Sequence, residues 1–499
     1  MAIIFYPIIS ALFALAFAWF LAMQIKRTNP FSFEGSALRY GRIHRKASIV
    51  AAVVAVICFF FIGLQATLGF LIGTVIVLLL DLTANHLLHK ATMASPEIAK
   101  RGLEKAFDML IKNSLSVALL AVSLAILTIS GYYWIFNSLV GCIGICTAAS
   151  LVTLFLGMTK SPTFKTVATF QTYSITMVAT MLLGEWLYPS SLQFTLLPLA
   201  LSAASLLAMI LASFFASVTE KQSAATPFYK FVAASFVLSI FASYFIISGL
   251  MQDTAISVWY LSFCATIGSA AAGICALATN NSQNKAKRFV LTILVLAIGI
   301  AAAYFLATFY GIAILALGAL SAAAAMGSMG LLNATAKGLG NKLAPEAVDQ
   351  KQTANALESA AKQTGSAILL YEIITAGLTA IAALLAFFSE VSIRTNVNLM
   401  QQYPYLIGGF VIGVLLPYLF YRLAKDSTAP KDVSLAIIIP AALLIAFGYI
   451  FGPVALLALL AGAIISGILL ASLETTTPAM NSLIQTLPIA ALLIISFLI

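Results

Sequence analysis

Two carboxylates stand where a charge is expensive to hold. Asp81 falls within the apolar run 66–88 and Glu372 within the run 365–388. An ionisable side chain inside hydrocarbon is a functional candidate by default, since it must be paired, neutralised or hydrated to remain there. On a helix, Asp81, Asn85 and His89 follow one another at i, i+4 and i+8 and share a face, with His86 beside it. Such a face can relay protons or hold a metal ion. A neutral or snorkelling cluster near the cytoplasmic interface is the plainer reading, and it outweighs metal binding. Glu372 is the stronger candidate for a proton acceptor. Glu346 and Asp349, three residues apart, could clip a magnesium ion weakly, but a solvated helix turn explains them as well. The chain shows no nucleophile triad, phosphate loop or zinc spacing. Its cysteines, Cys58, Cys142, Cys146, Cys264 and Cys275, lie in apolar runs without CxxC pairs and read as small packing residues.

The elements that must position these groups follow from composition. The chain has 499 residues, 62% hydrophobic and 8% charged, with a mean hydropathy of +1.06. A soluble domain is far more polar, so a water-soluble fold is excluded. Apolar runs, each long enough to cross a hydrocarbon core, succeed one another with short polar breaks, and only helices suit them. The expected helices are 3–25, 47–63, 66–88, 106–135, 138–158, 165–187, 192–217, 229–250, 255–279, 288–308, 310–331, 365–388, 404–423, 433–451, 453–473 and 479–499. This predicts an all-α, polytopic bundle of about 16 transmembrane helices, forming one transmembrane domain over 1–499 with no separate soluble domain. Lys26-Arg27 follows the first run and no base precedes it, the reverse of a secretory signal.

Charge placement bears on topology. Of the 26 Lys and Arg residues, all but Arg394 fall in alternate connections of this arrangement. Bases are retained on the cytoplasmic side of short loops, so both termini are expected on the non-cytoplasmic side of the cell (cytoplasmic or inner) membrane. The net charge of +10 then faces the cytoplasm and anionic lipid, and no nucleic-acid partner is implied. Close-spaced small residues in Gly69-Phe-Leu-Ile-Gly73, Gly409-Phe-Val-Ile-Gly413 and Gly462-Ala-Ile-Ile-Ser-Gly467 mark helix contacts and hint at an internal repeat.

Several stretches resemble the membrane-bound pyrophosphatases, which pump protons or sodium using pyrophosphate hydrolysis. They include Gly69-Phe-Leu-Ile-Gly-Thr74, Ala99-Lys-Arg-Gly-Leu-Glu-Lys-Ala106, Gly131-Tyr-Tyr133, Phe170-Gln-Thr-Tyr173, Tyr310-Gly-Ile-Ala-Ile-Leu-Ala-Leu-Gly318, Leu415-Leu-Pro-Tyr-Leu-Phe420 and Pro478-Ala-Met-Asn481. The resemblance spans essentially the whole chain. It implies the family's sixteen-helix fold, a homodimer and, were hydrolysis retained, magnesium as cofactor.

The family's chemistry does not carry over with it. Its Asp-rich substrate loop is replaced by the short run from Gly157 through Met158-Thr-Lys-Ser-Pro162. A second acidic stretch is reduced to Glu474-Thr-Thr-Thr-Pro478. In the loop that keeps its length, the magnesium-binding Asp corresponds to Asn333, and Glu358 survives as a carboxylate. The charged gate of the ion path falls on Gly157, Ala168, Gln171, Leu370 and Gln485, none of them charged. Neither Asp81 nor Glu372 matches a catalytic position of the family. The chain is thus expected to be a shortened, catalytically silent relative, without catalytic residues, cofactor or metal. It would serve as a membrane scaffold, a subunit for an unidentified membrane partner, or a repurposed permeation element. Two alternatives stand beside it: a pyrophosphate-energised pump with a minimal active site, and a proton-coupled transporter using Asp81 or Glu372.

Overall fold

The structure, a computed structural model, describes residues 4–26, 48–49, 51–56, 59–60, 63–99, 103–158, 163–187, 189 and 191–214, with shorter helical stretches between 234 and 301, over 407–415 and between 446 and 466. The continuous elements are α1 (Phe5–Lys26), α2 (Leu64–Ala99), α3 (Leu103–Phe136), α4 (Leu139–Met158), α5 (Phe164–Leu187) and α6 (Leu192–Ser213). The chain divides into two compact units. The first comprises Met1–Val178, Leu196–Ile246 and Ala324–Ser366, and the second Ala179–Thr195, Ile247–Ala323 and Ala367–Ile499.

Local chemistry sets the helix ends. Gly63, at φ 110°, turns the chain into α2, and its carbonyl accepts from both the amide and the hydroxyl of Thr67. At the same end of the α2–α3 hairpin, where α3 finishes, Asn137 takes φ 45° and donates its amide to the Tyr133 carbonyl at 2.8 Å, a left-handed stop that asparagine tolerates. Ser138 then caps α4, accepting from the Gly141 amide while donating to the Gln65 side chain at 2.6 Å. Pro198 lies inside α6, where it removes one rung of the backbone ladder.

Unit one is held by close backbone contact. In it, α2 packs most extensively on α4, and α1 on α3. A Cβ added to Gly69 would lie 1.9 Å from the Gly141 carbonyl oxygen, and one on Gly144 would lie 2.1 Å from that of Ala66. Only glycine permits this approach. The Tyr132 hydroxyl ties α3 to α2 through the Gln65 carbonyl at 2.8 Å, and Ser116 ties α3 to α1 through that of Ala18 at 2.7 Å. Several intrahelical Ser and Thr hydroxyls, among them Thr74, Thr128 and Thr153, donate to the carbonyl four residues back, which satisfies them without water. The outward faces of α1 and α2 expose Ile9, Leu12, Phe13, Trp19 and Phe20, and Leu71, Val75 and Leu79, the surface a helix presents to lipid. In the second unit Gly409 and Gly413 abut the backbone at Ala455 and Leu459, and Gly462 abuts that at Phe410.

The expectation of about sixteen crossings is corrected. The fold is all-α, but among the described residues four helices are long and apolar enough to cross a membrane: Phe5–Gln24, Leu64–Leu88, Leu115–Phe136 and Leu192–Ser213. An apolar run shows that a segment tolerates hydrocarbon, whereas a crossing also needs an unbroken, sufficiently apolar helix. In α4 the apolar stretch is only Leu139–Thr153, and α5 carries Lys165, Glu185 and a series of Thr, Ser and Gln residues. The expected segments 229–250 and 255–279, and those from 288 onward, lie largely or wholly outside the described residues.

Candidate functional site

Asp81 is fully buried, seventeen residues into α2 and within its membrane-crossing stretch. Its Oδ1 accepts a hydrogen bond from the Thr163 hydroxyl, itself fully buried. Thr163 is the residue before α5, and its carbonyl accepts the first helical bond, from the Val167 amide at 3.2 Å. The carboxylate therefore meets the end of α5 at which free amides concentrate partial positive charge. A hydroxyl and a helix N-terminus together offset part of the desolvation of a buried carboxylate.

One helix pair further in, the Gln171 amide nitrogen on α5 donates to the Ser150 hydroxyl on α4 at 3.2 Å, and Ser150 donates to the Cys146 carbonyl at 2.9 Å. Gln171 and Ala168 are both buried. A neutral amide and a methyl group thus occupy the interior of this pair. Gly157 lies in the last turn of α4.

The sequence-derived face is only partly realised. Asp81 is buried, Asn85 and His86 are half-buried, and His89 lies on α2 with its side chain outside the described residues. Asn333, Glu346, Asp349, Glu358, Leu370, Glu372 and Gln485 also lie outside them. Among the described residues no group of three His, Cys, Asp or Glu converges. The Asp108–Lys112 pair, 2.7 Å apart at i,i+4, is half-exposed and contributes little.

Sequence reasoning missed Thr163 and Ser150. A signal for the first existed, since Ser161-Pro162-Thr163 ahead of an apolar run is a helix start. Its partner 82 residues away is set by packing alone. Asn113 was missed as well: it is fully buried on α3, and neither Oδ1 nor Nδ2 finds a hydrogen-bond partner.

No protein-family model matches the chain. It is similar to a K(+)-insensitive pyrophosphate-energized proton pump of Methanosarcina mazei, with 24% identity over 504 residues that cover 84% of this chain and 75% of the pump. The chain is a multi-pass membrane protein and a distant relative of a membrane pyrophosphatase-family pump.

Proposed function

We propose that this protein is a catalytically silent relative of the pyrophosphate-energised pumps, retained as a scaffold, partner subunit or repurposed permeation element of the cell membrane. The observation that carries the reading is the interior of α4 and α5. Ala168 and Gln171 are buried where the resembled family places carboxylates, and the Gln171 amide is engaged with Ser150. Removing both members of a buried ion pair leaves a fold close to neutral in stability, whereas removing one is strongly destabilising. Loss of the whole charged set is therefore compatible with a protein that keeps its fold and sheds the activity. Purified into lipid with magnesium, the protein is expected to hydrolyse pyrophosphate no faster than empty membranes. Hydrolysis above that level, lost in Glu358→Ala, would overturn the reading.

A proton-coupled transporter is the second reading, favoured by the burial of Asp81 within a crossing helix. In proteoliposomes under an imposed potential, the silent reading expects no flux of protons or sodium, since apolar and amide groups cannot replace an ion's hydration shell. Flux that disappears in Glu372→Gln or Asp81→Asn would favour the transporter instead.

In orientation, Lys26-Arg27 after α1 and the bases Lys100, Arg101, Lys105 and Lys112 around the α2–α3 connection belong on the cytoplasmic side. Both termini then lie on the other side, and the protein pairs as a homodimer as its resemblance implies. A cysteine placed ahead of α1 is expected to react with an impermeant thiol reagent applied from outside. Reaction only from the cytoplasmic side would invert this topology.

A further inference from the structure

We propose that unit one encloses an internal hydration site at the Asn113 carboxamide, one helical turn from the point where Ser116 ties α3 to α1. Asn113 shows no solvent exposure, and both its amide oxygen and its amide nitrogen lack a partner. A carboxamide offers two donors and two acceptor lone pairs, and a buried polar group left unmade is a liability that native folds rarely carry. Ser116, one turn on and also buried, is satisfied by donating to the Ala18 carbonyl. Asn113 has no such outlet. What it needs is a ligand that donates and accepts at once and is small enough to sit among helices, and water has that chemistry.

Its depth follows from the α2–α3 hairpin. The two helices are antiparallel, joined through residues 100–102 at one end and tied at the other by the Tyr132 hydroxyl on the Gln65 carbonyl. Counting about 1.5 Å per residue from the two ends places Asn113 level with the stretch Ala84–His89, about 5–12 Å along the helix from Asp81. Asn85 and His86 are half-buried, so polar groups of α2 stand at that depth. The site is independent of whether the protein is catalytically silent.

Hydroxyl-radical footprinting of the whole protein in lipid nanodiscs tests it, because radicals generated from trapped water oxidise side chains that bulk solvent does not reach. Leu115 and Val117, 2% and 0% exposed, are the reporters. The internal reference is the α4 stretch with buried Cys142 and Cys146, side chains intrinsically more reactive than leucine or valine. The expected result is labelling of residues 115–117 several-fold above that of residues 142–149, removed in Asn113→Leu. Labelling at or below the reference in the wild-type protein overturns the proposal, as does labelling that Asn113→Leu leaves unchanged. Should that variant fail to fold, Asn113→Ser, which keeps a polar group in less volume, is expected to retain labelling, and the wild-type comparison decides by itself.

Discussion

Replacing Gly69 with isoleucine is expected to remove most of the folded protein from a membrane preparation, while Gly131→Ala in the same preparation leaves it unchanged or slightly more stable. The two glycines sit in neighbouring helices of the same unit and differ in what faces them. A Cβ on Gly69 would stand 1.9 Å from the Gly141 carbonyl oxygen and 2.7 Å from the carbonyl carbon, both backbone atoms with no rotamer to retreat into. Relief requires α2 and α4 to move apart, which breaks the matching contacts of Gly73 on Ile145 and Gly144 on Ala66 and Phe70. Overpacking typically destabilises by about 1–3 kcal/mol where side chains can adjust, and a backbone clash along a whole interface belongs at or above the top of that range. Gly131, by contrast, has nothing within 4 Å of its added Cβ. There the change only improves helix propensity, by up to about 1 kcal/mol. The measurement is the yield of monodisperse protein after detergent extraction, with an apparent unfolding temperature for whatever survives. Equal yields for the two variants would show that the α2–α4 contact is looser than its geometry.

The glycine contact also marks how far the sequence could be read. Gly69-Phe-Leu-Ile-Gly73 announced itself by its spacing of four, which puts both small residues on one helical face. Its partners Gly141 and Gly144 are spaced by three and interrupted by Cys142 and Ile143, and they became legible only once α4 lay against α2. The same asymmetry holds for the helices. Apolar runs located α1, α4 and α5 to within a few residues, most sharply at Leu139, where the polar pair Asn137-Ser138 gives way to an apolar run. They said too little about α2, which continues through Ala99, eleven residues past its apolar run, because Leu88 to Ala99 is too polar for hydrocarbon yet still helical. Counting crossings failed for the related reason that hydropathy measures tolerance of lipid and not the length of unbroken helix. Asp81 was legible as a lone carboxylate in an apolar run. Its environment was not, since the hydroxyl that meets it arrives from a helix start 82 residues later.

That pairing leads to the second large effect. Thr163→Val keeps the shape of the side chain and removes its hydroxyl, so Asp81 Oδ1 loses a hydrogen bond inside a site from which lipid and packing exclude bulk water. Hydrogen bonds to charged groups contribute about 1.5–3 kcal/mol, and the substitution is expected to destabilise unit one by an amount in that range. Thr163→Ser restores the donor and is expected to recover most of the loss, which separates the hydrogen bond from any general intolerance at the start of α5. Asp81→Asn retains an acceptor of nearly the same shape and should be the mildest change at its position. The deciding variant is the double substitution Asp81→Leu with Thr163→Val. With both polar groups gone the interface becomes apolar, and replacing a buried polar pair as a unit is close to neutral where breaking it from one side is not. Unfolding of the four proteins of the cycle, followed by circular dichroism in a denaturing-detergent titration, should give a coupling of at least about 1 kcal/mol. Strict additivity of the two single substitutions would mean that Asp81 is held by its other contacts and that the Thr163 hydroxyl is incidental.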